Sequence, residues 1–219
     1  FTGGYSLDSY TTIFSSLGTA ISNTYLYSTA AILIIVFLGM TVAYLTTRRK
    51  SVLTDIIDTL TMFPYIIPGS VLGITLLLAF NEEPILLSGT ALIIIISLVI
   101  RRLPYTLRSS SAILYQISPS IEEASISLGA SPLKTFFKVT AVMMLPGVMS
   151  GAILSWINEL SSSVILFTGA TKTMSVAIYT EVIRASYGTA AALSTILTLT
   201  TIVAMVTFFK VSGSKDVTL

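Results

Sequence analysis

The sequence of 219 residues contains no cysteine and no histidine. Without cysteine the chain has no disulfide, no iron–sulfur cluster and no thiol catalysis. Without histidine it lacks the commonest metal ligand and the commonest general base. Both absences argue against an enzyme active site, and no metal site is predicted.

Charged residues are also scarce. They make up 10% of the chain, against about 25% in a typical soluble domain, while 53% of the residues are hydrophobic. A chain with this few charges cannot cover a water-facing surface. Its apolar side chains must therefore face lipid as well as each other. The net charge of +2 is too small to indicate nucleic-acid binding.

The few charges leave five long uncharged runs, and a membrane-spanning helix needs about 20 mostly apolar residues. We therefore predict an all-α, polytopic membrane bundle of about five transmembrane helices that forms a single domain over residues 1–219. The predicted spans are 23–46, 59–81, 84–102, 139–159 and 187–209. Because all basic residues except Lys172 and Arg184 then fall on one side, the positive-inside rule places the N-terminus outside and the C-terminus in the cytoplasm.

Pro64, Pro68 and Gly69 lie within the second span and predict a kink or a break there. A break is tolerated in a membrane where neighbouring helices or a water-lined cavity satisfy the freed backbone groups. The pattern therefore fits either a packing kink or the lining of a pathway.

Residues 103–138 form the longest polar connection, and connections of this length are usually functional. Ser118 and Pro119 predict a helix start, with Ser120 and Glu123 as an alternative capping box. Glu122 and Glu123 fall in the first turn, where the helix dipole favours negative charge.

Gly129 is expected to end this helix, since glycine adopts a positive φ readily. Ser131 and Pro132 predict a second helix with Leu133 and Phe136 among its apolar residues. Two short helices bent at a glycine are suited to docking into a groove of another protein.

The residues Glu123-Ala124-Ser125 followed by Gly129 resemble the EAA loop of ABC importer permeases. That family pattern is Glu-Ala-Ala, three residues, Gly, then an aliphatic residue and Leu-Pro further on. Val139 occupies the aliphatic position, but Ala141-Val142 stands where Leu-Pro is expected, and a Leu-Pro-Gly follows at 145–147.

The resemblance implies the type I ABC importer permease fold, in a bacterial plasma membrane, with this loop as a coupling helix seated in a cytoplasmic ABC ATPase subunit. The residues assigned to it are Glu122, Glu123, Ala124, Ser125, Gly129, Ala130, Ser131, Pro132 and Phe136. ATP and Mg²⁺ would be bound by that ATPase, because this chain has no GxxxxGK[ST] loop and is expected to carry no cofactor. The chain is then a translocation subunit, not an enzyme. Further partners are a second permease half, fused or homodimeric, an external substrate-binding protein and membrane lipid.

Stretches 103–137, 159–169 and 190–202 are similar to the second half of ferric-iron permeases, which are often fused as two homologous halves. The chain begins at Phe1 and is therefore expected to be a piece of a longer polypeptide. Sulfate, molybdate, polyamine and phosphonate permeases share the same loop and remain alternatives, as does a transporter not driven by ATP.

Ferric iron is a hard cation that suits carboxylate and phenolate oxygens, and an ionisable residue near a span is a functional candidate. The pathway candidates are Pro64, Tyr65, Pro68, Asn158, Glu159, Ser161 and Ser162. Glu159 is equally placed to cap a helix or to pair with Arg184. Glu181 and Tyr187 are weaker candidates on the outer face.

Overall fold

A computed structural model describes residues 6–156 and 160–212. All regular secondary structure in these residues is helical, as predicted. The helices are α1 (Asp8–Ser16), α2 (Gly18–Arg48), α3 (Val52–Ile66), α4 (Gly69–Ala79), α5 (Ala91–Gln116), α6 (Pro119–Ser127), α7 (Pro132–Thr135), a π-helical turn (Phe136–Thr140), α8 (Ala141–Trp156), α9 (Leu160–Leu166), α10 (Met174–Ile183) and α11 (Tyr187–Ser212).

Three stretches of helix in the described part of the chain are long and apolar enough to cross a membrane: Gly18–Arg48, Pro132–Ile153 and Tyr187–Thr207. Helices α3 and α4 add a fourth candidate if they are taken together as one broken span. The break falls at Ile67 and Pro68, so the predicted interruption of the second span is present.

The structure differs from the predicted third span and from the predicted loop after it. Residues 81–90 are not helical, because Pro84 interrupts them and Gly89 has a φ of +79°. Helix α5 then runs from Ala91 through Gln116, so residues 103–116 continue a helix and are not a loop. The continuous helix that contains most of the fourth predicted span begins earlier than predicted, at Pro132.

The described residues divide into two compact units. The first contains residues 6–31, 67–98 and 160–205. Its buried core joins Ile13 of α1 to Met174 and Ala177 of α10 and Leu193 of α11. The connection before α10 is held to α2, since the Asn23 side-chain amide donates to the carbonyls of Ala170 and Lys172 at 2.8 and 3.0 Å.

The second unit contains residues 32–66, 99–156 and 206–212. Its core brings α2, α5 and α8 together through Ala43, Leu114, Ile117, Met144 and Val148. It also contains the segment that the sequence singles out as functional.

Two glycines one helical turn apart allow α8 to lie directly against α5. A Cβ added at Gly147 would lie 2.7 Å from Ile113 Cγ2 and 2.9 Å from the carbonyl oxygen of Ser109. At Gly151 it would meet the Ser109 side chain and lie 2.5 Å from the Cα of Thr106. Small residues at this spacing are the usual means by which membrane helices approach closely.

Candidate functional site

The candidate site is the α6–α7 segment, residues 118–137, which folds as two short capped helices. Ser118 is the N-cap of α6, with extended backbone, and its side chain accepts from the Ser120 amide at 3.4 Å. Pro119 follows at the first helical position, where its missing N–H costs nothing. The cap is therefore Ser118, the first of the two predicted alternatives.

Gly129 ends α6 as predicted, with a φ of +90°. The Gly129 amide donates to the carbonyl of Ile126 at 2.9 Å, and the Ala130 amide donates to that of Ser125 at 3.2 Å. These two bonds form a Schellman motif, which satisfies carbonyls that the end of a helix leaves without partners. A Cβ added at Gly129 would meet nothing in the chain within 4 Å.

Ser131 then caps α7 and accepts from the Lys134 amide at 3.3 Å, with Pro132 at the first helical position. Helix α7 is only four residues long, and it passes into the π-helical turn Phe136–Thr140 and then into α8 without a loop. Short π-helical insertions within α-helices occur frequently at functional sites. The segment is thus continuous with an apolar helix of membrane-spanning length.

Glu122 lies in the first turn of α6, as predicted, and its carboxylate also pairs with the end of α2. It is 9% exposed, and both of its oxygens accept from the last turns of α2. Arg48 Nε donates to Oε1 and the Tyr44 hydroxyl donates to Oε2, each at 3.0 Å. The Arg48 guanidinium also donates to the carbonyl of Ile117 at 2.6 Å. From the sequence, Arg48 was placed only by its charge, on the cytoplasmic side, and Tyr44 was assigned no role.

Two further contacts hold the segment together. The hydroxyls of Ser125 and the buried Thr135 lie 3.0 Å apart, which joins α6 to α7. The Phe136 ring packs edge-on against Tyr44 with the ring centroids 4.9 Å apart. Ser125 and Phe136, both predicted to belong to the site, therefore have internal packing roles.

The outer face of the segment is exposed and partly apolar. Glu123, Ala124, Gly129, Ser131 and Pro132 are exposed, and Ala130 is half-buried. Leu128 is 89% exposed and Leu133 is 72% exposed. Leu128 and Leu133 thus form an exposed apolar surface on a segment whose inner face is fixed to α2.

Among the pathway candidates, Pro64 and Tyr65 lie at the C-terminal end of α3 and Pro68 is the N-cap of α4. Tyr65 is 63% exposed, and its ring packs edge-on against Tyr105 of α5 at 5.6 Å between centroids. The Pro64 carbonyl accepts from an Arg101 guanidinium nitrogen at 2.9 Å. These contacts place two tyrosines and an arginine beside the end of a broken helix.

The four other pathway candidates lie wholly or partly outside the described residues. Asn158 and Glu159 lie outside the described residues; Ser161 and Ser162 fall in α9, but their side chains are outside the described part as well. Arg184 pairs with Glu181 at 3.2 Å, and Tyr187 is 63% exposed at the start of α11. Within the described ranges, no three acidic side chains gather as a metal site would require.

The profile of a family described as "Binding-protein-dependent transport system inner membrane component" matches residues 35–212. A "Ferric transport system permease protein FbpB" of Actinobacillus pleuropneumoniae is 34% identical over 190 residues, which cover 85% of this chain and 28% of that protein. A "Molybdate/tungstate transport system permease protein WtpB" of Pyrococcus abyssi is 34% identical over 146 residues, or 65% of this chain and 56% of that protein. The chain thus spans about a quarter of the ferric relative and about half of the molybdate relative.

Solved structures agree with the fold. A bacterial ABC transporter involved in the import of the acidic polysaccharide alginate superposes with a TM-score of 0.77 and 14% identity, covering 98% of this chain and 86% of that one. The MetNI methionine ABC transporter gives a TM-score of 0.72 and 16% identity, covering 96% of this chain and 99% of that one. At these identities the likeness concerns the fold alone.

Proposed function

We infer the function from one premise: the chain belongs to the family of binding-protein-dependent transport system inner membrane components. It is accordingly a transport component of an inner membrane. We propose that it is the permease subunit of an ATP-driven ABC importer and that it carries ferric iron. The five spans, the outside N-terminus and the cytoplasmic C-terminus belong to this proposal.

The observation that carries the proposal is the construction of the α6–α7 segment. Its inner face is fixed to α2 through Glu122, while its outer face presents Glu123, Ala124 and the apolar side chain of Leu128. A helix that is rigidly held on one side and exposed on the other is suited to transmit movement of a docked partner. That partner is a cytoplasmic ABC ATPase, which binds the ATP and Mg²⁺.

We propose two further partners. A binding-protein-dependent system needs an external substrate-binding protein, and a single permease half needs a second half, fused or homodimeric, to enclose a pathway. We propose that the α3–α4 break, with Pro64, Tyr65 and Pro68, lines this pathway together with Asn158, Glu159, Ser161 and Ser162.

The preference for ferric iron rests on similarity. The ferric relative from A. pleuropneumoniae matches over 85% of this chain, whereas the molybdate relative matches over 65%. Molybdate or tungstate is the second candidate, because that relative reaches the same 34% identity over its shorter match.

The absence of cysteine allows a direct test of the docking surface. We would replace Ala124 with cysteine, place a second cysteine in the groove of the partner ATPase, and measure the yield of the crosslink with and without ATP. A cysteine at Leu86, which is 58% exposed in the connection between α4 and α5, is the control and should form no crosslink.

We expect a crosslink at position 124 whose yield changes with ATP. A folded, inserted protein with no crosslink at position 124, or with equal crosslinking at position 86, would contradict the proposal.

A further inference from the structure

Both oxygens of the Glu122 carboxylate are held by one helix. Arg48 and Tyr44 are four residues apart on α2 and therefore lie on the same face of that helix, one turn apart. Each donates to a different oxygen of Glu122 at 3.0 Å. The side chains of Glu122 and Arg48 are only 12% and 14% exposed, so the pair is shielded from water.

The end of α2 also contacts the α6–α7 segment on both sides of this pair. Arg48 donates to the Ile117 carbonyl just before α6 begins, and Tyr44 packs on Phe136 just after α7 ends. A charge buried in this way needs its partner, since an unpaired carboxylate would have to lose its water with no compensation. Glu122 therefore fixes the position of α6 relative to α2.

The backbone joins the segment to α5 at one end, through Ile117 and Ser118, and to α8 at the other, through the π-helical turn. Side-chain contacts join it to α2, through Glu122, through the Ile117 carbonyl that Arg48 holds and through Phe136 on Tyr44. The Glu122 contact can be removed by changing one side chain while both chain connections stay intact.

We propose that Glu122 is a positioning residue that transmits displacement of the α6–α7 segment to α2, independently of the backbone route into α8. The inference rests on the proposed function. It adds α2 to α8 as a second helix that moves with the α6–α7 segment. A side chain without such a role would change stability but would not separate the response of α2 from the response of α8.

The test uses the complete transporter, permease with its ATPase, and one reporter cysteine at a time. Leu45 on α2 and Val142 on α8 are 38% and 54% exposed and lie near the ends of their helices. The measurement is the rate at which each cysteine reacts with a maleimide, with and without ATP. Each reporter is combined with Glu122→Gln, Arg48→Gln or Tyr44→Phe.

We expect both reporters to respond to ATP in the otherwise unchanged protein. With Glu122→Gln or Arg48→Gln the response at position 142 persists and the response at position 45 is lost. Tyr44→Phe removes one of the two hydrogen bonds but keeps the ring on Phe136, so part of the response remains. Arg49→Gln, at the adjacent and exposed arginine, is the matched control and should leave both responses unchanged.

A full response at position 45 in both Glu122→Gln and Arg48→Gln would overturn the inference. Loss of both responses in those variants would do the same, because Glu122 would then support the whole segment. A position 45 that never responds while position 142 does would also overturn it. Failure of the ATP-dependent crosslink at position 124 in the otherwise unchanged protein contradicts the proposed function instead, so the two failures are distinguishable.

Discussion

At the residue scale, Gly129 determines the shape of the α6–α7 segment. Its φ of +90° lies in a region that L-residues rarely adopt, while an added Cβ would meet nothing within 4 Å beyond its chain neighbours. Any side chain there would be disfavoured by backbone strain and not by a clash. The two effects can be separated experimentally.

Gly129→Ala should lower the free energy of unfolding by about 1–2 kcal/mol, since the left-handed region costs an L-residue about that much. Gly169→Ala is the matched control, because an added Cβ there also meets nothing within 4 Å and its φ is not in the left-handed region. Denaturant unfolding in detergent measures both, and the control should change by less than about 0.5 kcal/mol. Equal losses would contradict the strain argument.

Gly129→Leu extends the test to the partner. It suffers the same backbone strain as Gly129→Ala but places bulk in space that is empty within the chain. If this surface docks on an ATPase, Gly129→Leu should uncouple ATP hydrolysis from transport beyond the effect of Gly129→Ala. Identical coupling in the two variants would argue against docking at this position.

The caps and the helix end of the α6–α7 segment could be predicted from the sequence, whereas the ion pair of Glu122 could not. The helix end at Gly129 and the caps at Ser118 and Ser131 were predictable because each depends on a few neighbouring residues. The partner of Glu122 was not, since Arg48 lies 74 positions away in the sequence. The sequence did place Glu122 and Arg48 on the same, cytoplasmic side and near the ends of their helices, which was the one indication that they could pair.

At the scale of elements, the break between α3 and α4 leaves the Pro64 carbonyl without a helical amide donor, and a side chain satisfies it. In a continuous helix the Pro64 carbonyl would accept from the amide of residue 68, but Pro68 has no N–H. Arg101 of α5 donates to that carbonyl at 2.9 Å instead. The missing N–H of Pro68 thus explains why the Pro64 carbonyl is free to accept from Arg101.

Arg101→Met should destabilise the protein by about 1–3 kcal/mol, because it leaves the Pro64 carbonyl without this donor. Pro68→Ala returns a backbone donor, so the cost of Arg101→Met should be at least about 1 kcal/mol smaller in a Pro68→Ala background. Arg108→Met, which removes the exposed ion pair with Asp58, is the control and should add independently of Pro68→Ala. Additive losses for Arg101 and Pro68 in denaturant unfolding would refute the assignment.

In helices α3 to α5, the sequence predicted that the helices exist but placed their ends less accurately. The prolines predicted an interruption, and it is present, but Pro64 lies inside α3 and only Ile67 and Pro68 separate the helices. Residues 103–116 were assigned to the long polar connection 103–138, yet they continue α5. Leu107 and Leu114 are fully buried there, and their packing outweighs the polar composition around them.

At the scale of the whole molecule, the proposed substrate can be tested by uptake into cells. We expect cells that express the complete transporter, but lack their own ferric uptake, to accumulate radioactive iron supplied as Fe(III). Hard oxygen donors such as the exposed phenol of Tyr65 suit that ion. Radioactive molybdate supplied to the same cells is the control, and accumulation of molybdate without iron would transfer the assignment to the second candidate.

The unbroken passage from α7 into α8 has a mechanical consequence. The 22 residues Pro132–Ile153 have a contour length of about 33 Å at 1.5 Å per residue. Such a rod acts as a lever arm, one end of which lies in the α6–α7 segment. If the rod moves rigidly about that end, a tilt of about 10° displaces Ile153 by about 6 Å, roughly one helical turn. A small rotation at the segment is thereby amplified into a displacement comparable to the diameter of a hydrated ion.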